Sequence, residues 1–233
     1  MTGSGKHPLS AADFSRIDEK PDPFFYNTPR LVTHIDDDAC AALSAYYADI
    51  LEDGDRILDL MSSCVSHLPV TLKPGKVVGH GMNAIELAAN PQLDRFFLQD
   101  LNASPALPLE ESAFDACLIA VSVQYLIDPV GVFAEIGRIL RPGGKVAVSY
   151  SNRMFPTKAV AIWRALDDTG HSRLIADYLE NTALFSDISV SDISPHPGRT
   201  DPLYIVTAQR CQGAALQDEE RGRDHSRIPH KHP

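Results

Sequence analysis

The sequence predicts an α/β fold: a doubly wound, seven-stranded, mostly parallel sheet with a C-terminal antiparallel hairpin. Three observations carry that expectation. Short apolar runs at 57–60, 76–79, 93–98, 114–121 and 145–150 alternate with helical patterns, the signature of strand–helix–strand units. Phe114-Asp115-Ala116-Cys117-Leu118-Ile119-Ala120-Val121 is apolar on both faces, as a central parallel strand requires. Two strand-like runs, 185–190 and 203–207, then close the chain in succession.

Taken in order, residues 1–35 form an N-terminal arm. Pro21, Pro23 and Pro29 surround Phe24-Phe25-Tyr26, so the arm cannot be one regular helix. Its aromatics must pack on something, either plain core or, as a lid, a ligand pocket. Asp36 reads as an N-cap with Asp37 and Asp38 in the first turn, and Leu43, Tyr46, Tyr47 and Ile50 recur at helical spacing. The α/β domain spans 36–210. Arg56-Ile57-Leu58-Asp59-Leu60 runs as a buried strand into small polar residues, and Ser66 or His67 is expected to open a short helix with Pro69 in its first turn. Lys76 to Gly79 is the second strand, His80 to Asn83 its turn and 84–89 a helix. Asp128-Pro129 starts a helix with Val132, Phe133, Ile136, Ile139 and Leu140 on one face, and Pro142-Gly143-Gly144 is expected to stop it. Ala159, Ile162, Trp163 and Leu166 make a further apolar stripe, and Leu174, Ile175, Tyr178 and Leu179 another. Residues 211–233 are polar, charged and aperiodic, which predicts a disordered tail.

Composition narrows the function classes. A net charge of −10 argues against a nucleic-acid partner, which selects clustered Lys and Arg. No apolar run approaches the ~18 residues of a membrane span, and the start lacks the apolar core of a signal peptide. A cytoplasmic protein is the expectation. Cys40, Cys64, Cys117 and Cys211 show no metal-ligand spacing, so no metal is expected.

Ser112-Ala113-Phe114-Asp115 followed by Ala120-Val121-Ser122-Val123-Gln124-Tyr125-Leu126-Ile127-Asp128-Pro129, and Phe133-Ala134-Glu135-Ile136-Gly137-Arg138-Ile139-Leu140-Arg141-Pro142-Gly143-Gly144-Lys145, resemble the fourth- and fifth-strand motifs of the class I S-adenosylmethionine (SAM)-dependent methyltransferases, closest to the type 11 group. The resemblance covers roughly 55–210 and implies a Rossmann-like fold, SAM as cofactor and methyl transfer to a small molecule. It departs from the family in the first motif. Asp59 supplies the acid, but Met61, Ser63 and Val65 stand where the family has glycines, and Gly81 stands where it has the ribose-binding carboxylate. The pattern resembles a subgroup with a substituted, glycine-free first motif.

On this resemblance the cofactor-side residues are Asp59, Ser62, Ser63, Gly81, Met82, Asn83, Asp100 and Leu101. Asp100 is placed to face an adenine amino group and Asn83 to hold a diol without charge. Asn83 also reads as a helix N-cap. His67, at the expected helix opening, and Tyr125 are the candidate catalytic groups. Tyr26, Arg30, Gln124 and Arg153 are the substrate-side candidates, with Arg153 set to pair an anionic group and His34 a further lid residue. Methyl transfer asks mainly for alignment, so the lack of an obvious catalytic dyad does not exclude an enzyme. Two other readings stand beside it: a non-catalytic binding or partner module, and an enzyme using a SAM derivative for other chemistry. Oligomeric state is not legible.

Overall fold

The computed structural model describes residues 9–212. The expected tail lies outside these residues except for Cys211 and Gln212. Seven strands form one sheet in the order β3-β2-β1-β4-β5-β7-β6: β1 (Arg56–Asp59), β2 (Lys76–Gly81), β3 (Arg95–Leu98), β4 (Phe114–Ala120), β5 (Leu140–Tyr150), β6 (Phe185–Asp192) and β7 (Tyr204–Arg210). β1 to β5 run parallel, while β7 pairs antiparallel with both β5 and β6. The expected fold class is the observed one.

Strand periodicity distributes the core over both faces. Ile57, Val77, Ala116, Leu118 and Ala147 pack with Ala39, Leu43 and Tyr47 of α2 (Asp37–Ile50). Leu58, Val78, Cys117, Ile119 and Val146 point the other way. They meet Val132, Phe133 and Ile136 of α4 (Pro129–Ile139) and, past the short α5 (Ala161–Ala165), Ile175, Tyr178 and Leu179 of α6 (Asp168–Thr182). Caps set these helices as the sequence implies: Asp36 accepts from Ala39 N at 2.9 Å and Asp128 from Gly131 N at 2.9 Å.

Two local expectations are corrected. No helix follows β1. His67 takes a left-handed φ of 56°, and side chains beyond α3 (Ala84–Ala88) hold the segment as a loop. Asn90 donates to Ser63 O (3.1 Å) and Ser66 Oγ (2.9 Å), while Gln92 accepts from Ser66 N and donates to Leu68 O. These bonds occupy backbone groups that a helix would pair along its axis. The second correction concerns α4, which ends at Ile139, before the Pro-Gly-Gly. That tripeptide lies inside β5, where the register against β4 shifts between Phe114 and Ala116 and Gly143 takes a φ of 79°.

The arm is fastened to the body. It contains the short helix α1 (Asp22–Tyr26), and Asp22 is buried. Arg16 Nη1 donates to both its carboxylate oxygens (2.7 and 2.9 Å), Asn102 Nδ2 donates at 2.8 Å, and Lys158 Nζ lies 3.0 Å away. Lys158, 0% exposed, also donates to Lys20 O and Asp18 O, so a charge from the body is satisfied by the arm.

Candidate active site

Strand order reverses at β1 and β4, and open α/β sheets bind ligands at the carboxyl ends of strands beside such a switch. A crevice of about 280 Å³ opens there. Asp59 lines it from the end of β1, Gly81 from β2, Asp100 and Leu101 from beyond β3, and Val121, Ser122 and Tyr125 from beyond β4. Ser62, Ser63, His67, Met82, Asn83, Tyr26, His34 and Arg153 line it too. Arg30 and Gln124 do not.

The β1 turn substitutes a set of mutual contacts for glycines. Met61, at the first glycine position, adopts a φ of 60°, a left-handed conformation that costs a side chain about 1–2 kcal/mol. His80 holds it there: its Nδ1 accepts from Met61 N (3.1 Å), and its other nitrogen faces Gln99 O (3.1 Å). Burial pushes the His80 pKa down to about 4, with the Gln99 carbonyl opposing, so the ring is neutral at pH 7. Ser62 N then donates to His80 O (2.7 Å), drawing the turn across the end of β2. A Cβ on Gly81 would sit 2.7 Å from Ser62 O. The two departures from the family pattern are therefore one arrangement: the turn lies where the side chain of residue 81 would be.

Asp59 is buried and accepts from Ser62 Oγ at 2.5 Å. Burial lifts its pKa to about 6, and hydrogen bonds from Ser62 and Ser66 limit the rise. His67 is buried, and its pKa falls to about 4 through burial first and the nearby His34 second; the expected helix end plays no part. His34 is lowered by burial as well. Tyr125 Oη accepts from Phe155 N (2.8 Å), and burial raises its pKa to about 12.

Several expected roles meet competing contacts. Asn83 Oδ1 caps α3, accepting from Ile85 N and Glu86 N, while its amide nitrogen donates to Tyr26 O and Asn27 O. That commitment leaves the side chain no spare donor for a diol. Arg153 donates to Asp201 at 2.8 Å, with its side chain 60% exposed. Arg30 is turned onto the rings of Phe25 and Phe155, 4.6 and 5.0 Å from their centroids, and donates to Phe25 O. Gln124, buried, donates to Val121 O beneath the crevice. Asp100 Oδ1 accepts from Asn102 N (2.9 Å) in a turn of its own.

Sequence reasoning overlooked Glu86, His80, Asn102, Ser122 and Phe155. Glu86 is nine-tenths buried and lines the crevice from the first turn of α3. Its spacing from Asn83 gives the signal of a capping box, in which the glutamate reaches back to the cap residue. Here it reaches away instead, accepting from Ser63 Oγ (2.8 Å) and Arg30 N (2.6 Å). Ser122 Oγ is buried at the crevice with no hydrogen-bond partner among the described residues. Val121 is a β-branched residue at a φ of 44°.

The charge balance of the walls is one-sided. Asp59, Glu86 and Asp100 have no cation within 4 Å among the described residues. Asp22 is already matched by Arg16 and Lys158, and Arg153 by Asp201. Among the described residues no cluster of three or more His, Cys, Asp or Glu could hold a metal, and no helix is long and apolar enough to cross a membrane.

Residues 79–148 match the family described as a methyltransferase domain. The chain is 26% identical over 88 residues to a malonyl-[acyl-carrier protein] O-methyltransferase of Marinomonas sp. (strain MWYL1), covering 38% of this chain and 32% of that one. It is 29% identical over 125 residues to a demethylmenaquinone methyltransferase of Mycobacterium sp. (strain KMS), covering 52% and 51%. The matches thus span about half or less of these relatives. A solved SAM-dependent methyltransferase from Mesorhizobium loti shares the fold at a TM-score of 0.51 and 17% identity, over 73% of this chain and 98% of that one.

Proposed function

We propose that the chain is a class I SAM-dependent methyltransferase whose crevice binds SAM and transfers the methyl group to a small molecule. The observation that carries this reading is the uncompensated negative charge of a switch-point crevice whose histidines are neutral. Such walls suit a cationic ligand and oppose the anionic phosphates of dinucleotides, which other doubly wound folds accept. Ser122 Oγ, buried without a partner among the described residues, adds a donor and acceptor for a polar ligand. When bound, SAM supplies a methyl group already activated by its sulfonium.

The residues of the chain provide positioning. Asp59 and Asp100 are the candidate contacts to the amino acid and adenine ends, with Ser62, Ser63, Met82 and Leu101 as the surrounding wall. Tyr125 stays protonated at neutral pH and can donate to an acceptor group without removing its proton. His67, neutral and with a pKa near 4, is a weak base suited to accepting a hydrogen bond. An acceptor already nucleophilic at neutral pH fits this pair. The arm, through Tyr26, Val32 and His34, walls the crevice on one side and supports the lid reading.

A second reading, a binding module without catalysis, is favoured by the side chains that fill the glycine positions. Mass spectrometry of co-purifying small molecules, paired with calorimetric titration of SAM and S-adenosylhomocysteine, tests both. Micromolar binding of either supports the adenosine site. Absence of binding at millimolar ligand overturns it.

A further inference from the structure

Four features of Glu86 point beyond a structural role. It is a carboxylate, nine-tenths buried, on the crevice wall. It declines the capping-box contact that its spacing from Asn83 offers and turns toward the β1 turn. Its two oxygens each take one neutral donor, Ser63 Oγ at 2.8 Å and Arg30 N at 2.6 Å, which leaves acceptor capacity on both. No Lys, Arg or His side-chain nitrogen lies within 4 Å of it among the described residues. A buried carboxylate so placed is under-neutralised, and further donors would stabilise it.

The neighbouring strand end explains what those donors are. Position 81 cannot carry an acid, because a Cβ there would press on Ser62 O at 2.7 Å. Glu86 stands five residues further on, in the first turn of the helix that follows the same strand, and shares the crevice with Gly81. We propose that Glu86 accepts the hydrogen bonds of the ribose diol, so that the acid has moved from the end of β2 to the first turn of α3. This rests on the reading that the crevice takes the adenosine of SAM. The Ser63 hydroxyl and the Arg30 amide then act as positioning groups that fix the carboxylate. Through Arg30, the arm is joined directly to the ligand-binding acid.

The test is calorimetric, on the full chain, with S-adenosylhomocysteine and its 2′-deoxy and 3′-deoxy analogues as probes. A hydrogen bond to a charged acceptor supports roughly a ten- to hundredfold difference in affinity. The wild type is expected to lose about that much when either hydroxyl is removed, and E86Q to bind the parent compound about that much more weakly. The deciding result is the combination: E86Q should hardly distinguish the parent from its deoxy analogues. Should E86Q lose the same factor for all three probes, Glu86 only braces Ser63 and Arg30, and the proposal fails while the adenosine site stands. Equal wild-type affinity for parent and deoxy probes overturns it as well. If the wild type binds none of them at millimolar concentration, the adenosine site itself falls. E86D, which keeps the charge but shortens its reach, replaces E86Q if the amide variant does not fold.

Discussion

Asp59 is the residue at which stability and ligand binding should trade against each other. Its pKa stands at about 6 against an ordinary value of 3.8, chiefly because burial penalises the charged form. At ~1.4 kcal/mol per tenfold in proton affinity, keeping this carboxyl ionised at pH 7.5 costs the folded state on the order of 3 kcal/mol. The sign follows from proton linkage. Between the two pKa values the native state binds more protons than the unfolded state, so this stabilising contribution is complete below pH 3.8 and lost as pH rises through 6. Asp59→Asn imitates the protonated form at every pH. Its amide brings an extra donor to a buried place, which takes back about 1 kcal/mol. A net gain of about 2 kcal/mol remains at pH 7.5, and for a chain of this size that raises Tm by about 4–8 °C. The gain should shrink as pH falls and turn into a loss of under about 1 kcal/mol by pH 4, because the ionisation cost is then nearly gone while the cost of the amide remains. Other carboxylates affect both proteins alike, so the difference between the two melting profiles, recorded by circular dichroism from pH 4 to 8, isolates Asp59. SAM affinity should fall in the same variant at pH 7.5. A variant that melts at or below the wild type at pH 7.5, or a difference constant with pH, refutes the reasoning.

Gly81→Asp should not restore a ribose contact; the added Cβ strikes Ser62 O, and a loss of about 1–3 kcal/mol is expected in urea unfolding, with no gain in SAM affinity. Asn83→Ala removes the cap of α3 and two bonds to the arm, so it should cost ~1 kcal/mol or more and lower Tm accordingly. Asp22→Asn weakens the match to fully buried Lys158 and to Arg16, and breaking such a pair costs about 3–5 kcal/mol. The arm should undock before that full penalty is reached. Limited proteolysis is then expected to cut within residues 9–30 while the body stays resistant.

The sheet was legible because its strands obey simple periodicities. β4 is apolar on both faces, and Asp36 and Asp128 announce their helices with side chains that do cap them. The missing helix after β1 was not legible locally. Ser66-His67-Leu68-Pro69 has the form of a helix start, and the bonds that prevent it come from Asn90 and Gln92, on the far side of α3. Most of the crevice could be named from the strand ends, since topology alone brings Asp59, Gly81, Asp100 and Tyr125 to one edge. Hydrogen-bond commitments could not be read in this way. Arg153 finds Asp201 forty-eight residues away, and Asn83 finds the arm fifty-seven residues back. Glu86 was hidden by a local pattern with an ordinary explanation, the capping box.

The absence of glycines in the first motif at first suggests a crevice released from its function. The energetics argue otherwise. Met61, His67 and Val121 all line the crevice, and all hold positive φ angles, a conformation that costs about 1–3 kcal/mol each for such residues. The ionised Asp59 and the unpartnered Ser122 hydroxyl add to that cost. Together these amount to several kcal/mol in a fold whose net stability is of order 5–15 kcal/mol. A crevice with nothing to bind would be relieved of such costs by ordinary substitutions: glycine at 61, an apolar residue at 59, alanine at 122. They are instead gathered at one crevice, where His80 holds the Met61 turn and the arm holds the neighbouring Glu86 carboxylate. Strain concentrated at a switch point and held there by specific hydrogen bonds has the character of a site held ready for a ligand. On the proposed function, the substituted turn is a rebuilt binding surface rather than a lost one.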